Sequence, residues 1–344
     1  MFQGLKHINV VVADLERSLE FYCGRLGMKI SYGPFCALGR EMATIFGQEN
    51  TGTEVPYGVD TACFLRYTRD QDEAVIDLGW WHRPPSEGVP YQTAHNVGHQ
   101  RVAIRVADAE ATHNELMSTG LRPLSQPVEI DVGFPIKTFC LRDPDGVGVQ
   151  VIETPEAGTT DERRVFFVSS TVGDLETALA FYEDVLGMTR KVGPFHIEGS
   201  EIGQLYGLSG YPGASISGAW MYPGGGDDST LVELIEWHRP QSGGAAYPVR
   251  LESGGSFANH IGIPRTAFNV TGCQEIYEAL VSRGVSFVSP PLTTNIGPEV
   301  MYCCFENYDG TILQLYEYVS GGDEQDYARF FDAFTPPTPG VERL

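Results

Sequence analysis

One string of residues occurs twice in this chain, at a fixed spacing. Asp14-Leu15, Phe21-Tyr22, Leu26-Gly27-Met28 and Gly33-Pro34-Phe35 return as Asp174-Leu175, Phe181-Tyr182, Leu186-Gly187-Met188 and Gly193-Pro194-Phe195, each displaced by 160 residues. Trp81-His82-Arg83-Pro84 returns as Trp237-His238-Arg239-Pro240. Asp145-Gly146 and Gln150 return as Asp309-Gly310 and Gln314, displaced by 164. Agreement over that length marks a duplication, so whatever one half folds into, the other folds into as well. The 344 residues suffice for two domains of ordinary size.

Each half divides again. The first module opens with alternating apolar residues, His7 to Val12, which read as a strand. Asp14 suits a helix N-cap, Leu15, Leu19, Tyr22 and Leu26 follow at helical spacing, and Gly27 supplies the stop. Strands are predicted at Met28–Tyr32, Thr61–Tyr67 and Ala74–His82. The second module has a strand at Arg101–Val106, a helix around Ala109–Thr119, a strand near Ile136–Leu141, the Asp143–Gly146 turn and a strand at Gly148–Glu153. Residues 164–238 and 260–319 repeat this pair. The expected fold is α+β: four βαβββ modules forming two half-open barrel domains, residues 1–155 and 164–320, with a tail at 321–344. Thr154–Arg163 is the natural linker, and Tyr327, Phe330, Phe331 and Phe334 in the tail read as a short amphipathic helix that docks on its own fold or on a second subunit.

Composition excludes several functions. The formal net charge is −22 with no basic block, which argues against nucleic acid and against anionic membrane surfaces as partners. The seven cysteines are odd in number and include no CxxC pair, so neither a disulfide framework nor a zinc knuckle is expected. No charged leader with an apolar stretch is visible in Met1–Asn9, no apolar run approaches the ~18–20 residues of a membrane span, and the expected location is the cytoplasm. No Walker motif, dinucleotide fingerprint or Ser-His-Asp arrangement is apparent, and Gly224–Asp228 is an acidic hairpin loop with no Lys-Ser/Thr after it.

The order strand, Asp-Leu helix, Phe-Tyr, Leu-Gly and a later Asp-Pro-Asp-Gly strand resembles the vicinal oxygen chelate superfamily, which includes glyoxalases, extradiol dioxygenases and bleomycin- and fosfomycin-resistance proteins. The resemblance covers almost all of residues 5–319. It implies paired modules curled around a cavity, where one residue from the first strand and one from the last strand of each module hold a divalent metal. In the first half these positions are His7, Asp77, Arg101 and Gln150; in the second they are Phe167, Glu233, Arg265 and Gln314. Neither set matches the family's His/Gln and Glu pattern. An arginine cannot ligate a cation, and a buried guanidinium needs an anion. The expectation is therefore that Arg101–Asp77 and Arg265–Glu233 pairs replace the metal. The alternative is one divalent metal (Fe, Mn, Zn or Ni) in the N-terminal half with His7 as a ligand.

The function read from these residues is an enzyme acting on a small oxygenated molecule, aromatic or polyketide-like, by proton transfer of lyase or isomerase type with oxyanion stabilisation. His7, Asp77 and Arg101 are the candidate catalytic residues; Gln150, His99, Arg265, Gln314 and Glu233 are candidate substrate contacts. His99 is placed on the same strand face as Arg101. Two alternatives stand beside this: an extradiol-type ring-cleaving dioxygenase with an atypical metal site, and a metal-free protein that sequesters a drug or metabolite. The expected partner is a small-molecule substrate, with a homodimer as a further option.

Overall fold

In the computed structural model the described residues are 1–37, 40–48, 59–68, 72–155, 163–208, 213–226, 229–247, 256–294 and 299–319. The tail, with its aromatic pattern, lies outside them, as does the tip of the 224–228 loop. The first module contains β1 (Phe2–Val11), α1 (Leu15–Leu19), β2 (Lys29–Ala37), α2 (Arg40–Ile45), β3 (Val59–Arg66) and β4 (Val75–Arg83). The second contains β5 (Gly98–Arg105), α3 (Ala109–Ser118), β6 (Val128–Asp131), β7 (Pro135–Arg142) and β8 (Gly148–Glu153). The third contains β9 (Arg164–Val172), α4 (Leu175–Ala180), β10 (Thr189–Glu198), α5 (Ser200–Leu205), β11 (Ser215–Tyr222) and β12 (Leu231–Arg239). The fourth contains β13 (Gly262–Val270), α6 (Cys273–Ser282), β14 (Leu292–Thr294), β15 (Val300–Glu306) and β16 (Ile312–Tyr318). The expected α+β class and the four βαβββ modules are what the chain forms.

Helix starts follow the repeat. Asp14, Asp108 and Asp174 each sit in extended backbone and accept the amide of the residue three positions on: Arg17, Ala111 and Thr177. The fourth module has Gly272 at that position with φ 81°, and the cap comes from elsewhere. Glu317 on β16 accepts both Gly272 N and Cys273 N, at 2.7 and 2.8 Å. Glu153 on β8 caps α3 in the same way through Ala109 N. These glutamates therefore serve the helices on the outer face of the sheets. A single wide turn, Glu20–Arg25 and Phe181–Val185, extends α1 and α4 up to the repeated Leu-Gly.

The modules do not pair as the sequence halves suggest. One eight-stranded sheet runs β14-β15-β16-β13-β1-β4-β3-β2, joining the fourth module to the first. The other runs β10-β11-β12-β9-β5-β8-β7-β6, joining the third to the second. The expectation that each half closes its own cavity is thereby corrected. In every module the first strand is an edge, so β1, β5, β9 and β13 all offer the same unpaired row of backbone groups. The short stretch between Glu153 and Arg164 brings β9 back beside β5, antiparallel, with Val102 opposite Val168. β1 and β13 are then left to pair, with Ile8 opposite Thr266.

Three apolar clusters result. The largest lies between the outer faces of the two sheets and the helices, with Leu19, Tyr22, Val149, Val168, Leu179 and Leu313 among its buried members. The other two fill the concave faces, one around Tyr32, Phe46, Phe64 and Tyr302, the other around Phe167, Phe195, Trp220 and Trp237. The alternation of strand side chains divides each strand between the shared core and its own concavity.

Candidate active site

Module pairing decides which residues meet. On the β1/β13 sheet, His7 (β1), Asp77 (β4), Arg265 (β13) and Gln314 (β16) converge, all buried. Arg265 Nε donates to Gln314 Oε1 at 2.9 Å, one terminal nitrogen donates to Asn9 Oδ1 at 2.8 Å, and the other lies 3.4 Å from Asp77 Oδ2. Asn9 closes the arrangement by donating to Asp77 Oδ2 at 3.0 Å. The guanidinium carbon stands 4.4 Å from the centre of the Phe46 ring, a cation–π contact.

On the β5/β9 sheet, Phe167, Glu233, Arg101 and Gln150 take the corresponding places. Arg101 Nε donates to Gln150 Oε1 at 2.6 Å, and one terminal nitrogen reaches both the Tyr206 hydroxyl, at 2.9 Å, and Glu233. Trp220 Nε1 donates to the other Glu233 oxygen at 3.1 Å. Tyr206 lies 160 residues after Phe46 and repeats its stacking, 4.5 Å from the Arg101 guanidinium carbon. Burial works against the charge on Arg101, but Tyr206 and Glu233 outweigh it and hold its pKa above the usual value.

The expected ion pairs are therefore exchanged between partners. Arg101 pairs with Glu233 rather than Asp77, and Arg265 pairs with Asp77 rather than Glu233. Arg101 and Gln150, grouped with His7 from the sequence, sit on the other sheet. His99 is not beside the cavity either. A register shift between His99 and Arg101 breaks strand alternation and turns the ring into the seam between the sheets. There Nε2 faces the Ile312 carbonyl at 3.2 Å, so it carries the proton, and Nδ1 accepts from Ser170 Oγ at 2.7 Å. Burial pushes the His99 pKa down to about 4.

His7 differs from the rest of its site. Both ring nitrogens are buried without a hydrogen-bond partner. Nε2 lies 3.7 Å from Asp77 Oδ2, and the ring is flanked by Phe64 and Tyr316, each 5.7 Å away between centres. Burial, then Arg265, then Lys6 drive its pKa well below 6.5, against a smaller opposing effect of Gln314. Burial also raises the Asp77 pKa, opposed by Arg265 and Asn9. These groups line a half-open pocket of about 70 Å³ walled by Phe35, Phe64, Tyr302 and Tyr316.

The donor set does not fit a resident divalent metal. One of the four places holds a guanidinium, and the oxygens of Asp77 and Gln314 are already engaged by that cation. Among the described residues no three His, Cys, Asp or Glu side chains group as a metal site. Asn9 and Phe46 were not singled out from the sequence. For Asn9 the signal was its place two residues after His7, on the same strand face; for Phe46 it was the aromatic repeat at Tyr206.

The comparisons with known proteins agree with this architecture. A model of the family described as Glyoxalase/Bleomycin resistance protein/Dioxygenase superfamily matches residues 4–151 and 164–315. A probable lactoylglutathione lyase of Synechocystis is 27% identical over 150 residues, 44% of this chain and 95% of that protein. One of Vibrio cholerae is 29% identical over 153 residues, 44% of this chain and 91% of its own length. Both support the expectation of an enzyme of lyase type. Glyoxalase I from Zea mays shares the fold, with a TM-score of 0.61 at 17% identity over 97% of this chain and 96% of its own. A putative dioxygenase from Bacillus subtilis does so with a TM-score of 0.55 at 12% identity, over 100% of this chain and 99% of its own. The match of the family model to both halves, together with the four modules, makes this chain a member of the glyoxalase, bleomycin-resistance and dioxygenase superfamily.

Proposed function

We propose that the β1/β13 site isomerises a small α-oxygenated carbonyl compound by proton transfer, with Arg265 in the place where the family's metal would sit. The observation that carries this reading is the buried His7 imidazole, without a hydrogen-bond partner, beside a fixed carboxylate–guanidinium pair. A neutral imidazole nitrogen accepts the proton from the carbon next to the carbonyl. The electron pair moves onto the carbonyl oxygen, and the resulting enolate oxygen is stabilised by Arg265. Of the five N–H donors on a guanidinium, three point at Gln314, Asn9 and Asp77, which leaves two for the oxyanion. Asp77 stabilises the imidazolium formed on the way; return of the same proton to the neighbouring carbon, with the hydroxyl proton passing to the former carbonyl oxygen, completes an isomerisation with no net redox change.

The name lactoylglutathione lyase, carried by relatives of this chain, suggests a compound to try first, lactoylglutathione itself, alongside simple α-hydroxyketones. Incubation in deuterated water, followed by proton NMR, reads exchange at the carbon next to the carbonyl. Wild type is expected to exchange or convert at least one of these compounds. His7→Ala is expected to lose that activity by about 10²-fold or more, while its circular dichroism spectrum stays unchanged. Undiminished exchange in His7→Ala rejects the assignment. Ring cleavage by an extradiol mechanism has less support, because among the described residues two histidines and a carboxylate do not meet on this sheet.

A further inference from the structure

We propose a second catalytic centre, a Ser217–His238–Glu236 relay that transfers the acyl group of a small ester to water. Three adjacent strands assemble it. His196 on β10, Ser217 on β11 and Glu236 on β12 are partners in register, and His238 stands two residues beyond Glu236 on the same face of its strand. The intervening Trp237 points the other way, into the concave cluster. Glu236 reaches the start of α4, which places the group on the outer face of the sheet. Ser217 is half-buried there, between the exposed rings of His196 and His238. The chemistry is separate from proton transfer at His7, which faces the concavity of the other sheet.

Hydrogen-bond geometry assigns the protons. Ser217 Oγ lies 2.8 Å from His238 Nε2 and 3.0 Å from His196 Nδ1. A hydroxyl has one proton, so it donates to one imidazole and accepts from the other. Glu236 decides which. Its Oε1 stands 3.5 Å from His238 Nδ1, which favours the proton on that nitrogen and leaves Nε2 to accept from Ser217. His196 then donates its Nδ1–H to Oγ. Glu236 is itself anchored, since its other oxygen accepts the Leu175 amide at 3.0 Å. Nucleophile, base and orienting carboxylate thus follow one another in contact. Ser217 Oγ bonds to the ester carbonyl carbon as its proton passes to His238 Nε2. The electron pair of the carbonyl moves to its oxygen, within reach of the His196 Nδ1–H. The pair returns, the bond to the alkoxy oxygen breaks, and that oxygen takes the proton from His238. Water repeats the sequence on the acyl-serine, releasing the carboxylic acid and restoring Ser217.

The other copy of the repeat separates what serves the fold from what serves the chemistry. Thr61 and His82 are the counterparts of Ser217 and His238, and Thr61 Oγ1 lies 2.8 Å from His82 Nε2. The hydroxyl–imidazole contact is therefore common to both copies and by itself is structural. The remaining two groups are not common. Trp80 stands in the place of Glu236, its ring 4.3 Å from that of His82, and Cys36 stands in the place of His196. Only the third module adds a carboxylate behind the imidazole and a second N–H beside the hydroxyl, and its hydroxyl is the primary alcohol of serine, less hindered than that of threonine.

The test treats the full chain with diisopropyl fluorophosphate, which loses fluoride to an activated serine, and locates the adduct by peptide mass spectrometry. Hydrolysis of p-nitrophenyl acetate is followed in parallel. The expected result is one adduct per chain, on Ser217, and none in Ser217→Ala. His238→Gln is expected to slow both labelling and ester hydrolysis by about tenfold or more, with an unchanged circular dichroism spectrum. Should that variant lose its fold, Glu236→Gln, which keeps an acceptor for the Leu175 amide, is read in the same way. Thr61→Ala, in the copy without the carboxylate, should label as wild type does. No adduct, an adduct only on another residue, or undiminished labelling of Ser217 in a folded His238→Gln or Glu236→Gln chain overturns the inference.

Discussion

Arg101 and Glu233 stand 132 residues apart and form one buried ion pair on the concave face of the β5/β9 sheet. The contact joins the two duplicated halves, so neither half satisfies its own buried charge. Arg265 and Asp77 make the reciprocal link on the β1/β13 sheet. Each barrel thus depends on both copies of the repeat, and charge pairing reinforces the strand pairing.

That dependence has a measurable size. Arg101→Met leaves Glu233 buried without its cation, and the loss is expected to be about 3–5 kcal/mol in urea unfolding. Adding Glu233→Leu to the same chain removes the unpaired charge as well. The double variant is expected to regain most of the loss, and a double variant less stable than the single one would show that the pair does more than neutralise itself.

On the proposed function, the two copies are expected to differ in what they can catalyse. Phe167 stands 160 residues after His7 and is fully buried among Phe166, Trp220 and Ala103. Phe167→His therefore places an imidazole beside an Arg101–Glu233 pair closed over by Tyr206 and Trp220. No second activity is expected from it. Proton exchange restored by Phe167→His in a His7→Ala background would mean the β5/β9 barrel is equally competent.

Activity should survive mild acid. The base role proposed for His7 requires the neutral ring, and burial with Arg265 and Lys6 holds its pKa well below 6.5. The acidic limb of the kcat/KM profile in the exchange assay is expected below pH 6.5 for that reason. A limb at or above that value would assign the titration to another group.

Stability should carry a histidine signature of its own. His99 has a folded pKa of about 4 against 6.5 when exposed. Between those values the unfolded chain takes up a proton that the folded chain refuses, so stability falls as pH drops from about 6.5 to about 4. The contribution reaches about 3 kcal/mol at most. Since other buried groups titrate in the same window, the clean reading is a difference. His99→Gln should lose less stability than wild type between pH 7 and pH 4 in parallel urea titrations, and equal losses would contradict the assignment.

Much of this architecture was legible in the residues because duplication doubles each signal. Asp14 and Asp174 announce their helices, and alternation in His7–Val12 and Arg101–Val106 announces strands that the structure contains. Module pairing was not legible. The first strands of all four modules present the same edge, and nothing in the alternation of β1 distinguishes β5 from β13 as its neighbour. The same ambiguity misassigned the partners of Arg101 and Arg265, although the residue types correctly required an acid for each. His99 was misplaced for a local reason: a bulge reverses facing without leaving a trace in the apolar pattern.

The final prediction concerns the metal. Arg265 occupies a position where the family places a metal ligand, and its guanidinium engages Asn9, Asp77 and Gln314. A divalent cation entering here would face that positive charge at close range and would find the oxygens of Asp77 and Gln314 taken. Purified wild type is therefore expected to hold well under one equivalent of metal by elemental analysis, with exchange activity unaffected by a chelator. Arg265→His removes the charge, frees both oxygens and supplies a second imidazole opposite His7. That set of two nitrogens and two oxygens suits nickel or zinc. The variant should take up close to one equivalent after dialysis against either ion, and its melting temperature should rise with free metal concentration as linkage requires. One equivalent of chelator-sensitive metal in wild type would show that the guanidinium does not stand in for it; failure of Arg265→His to bind would show that the remaining donors do not converge on a single ion.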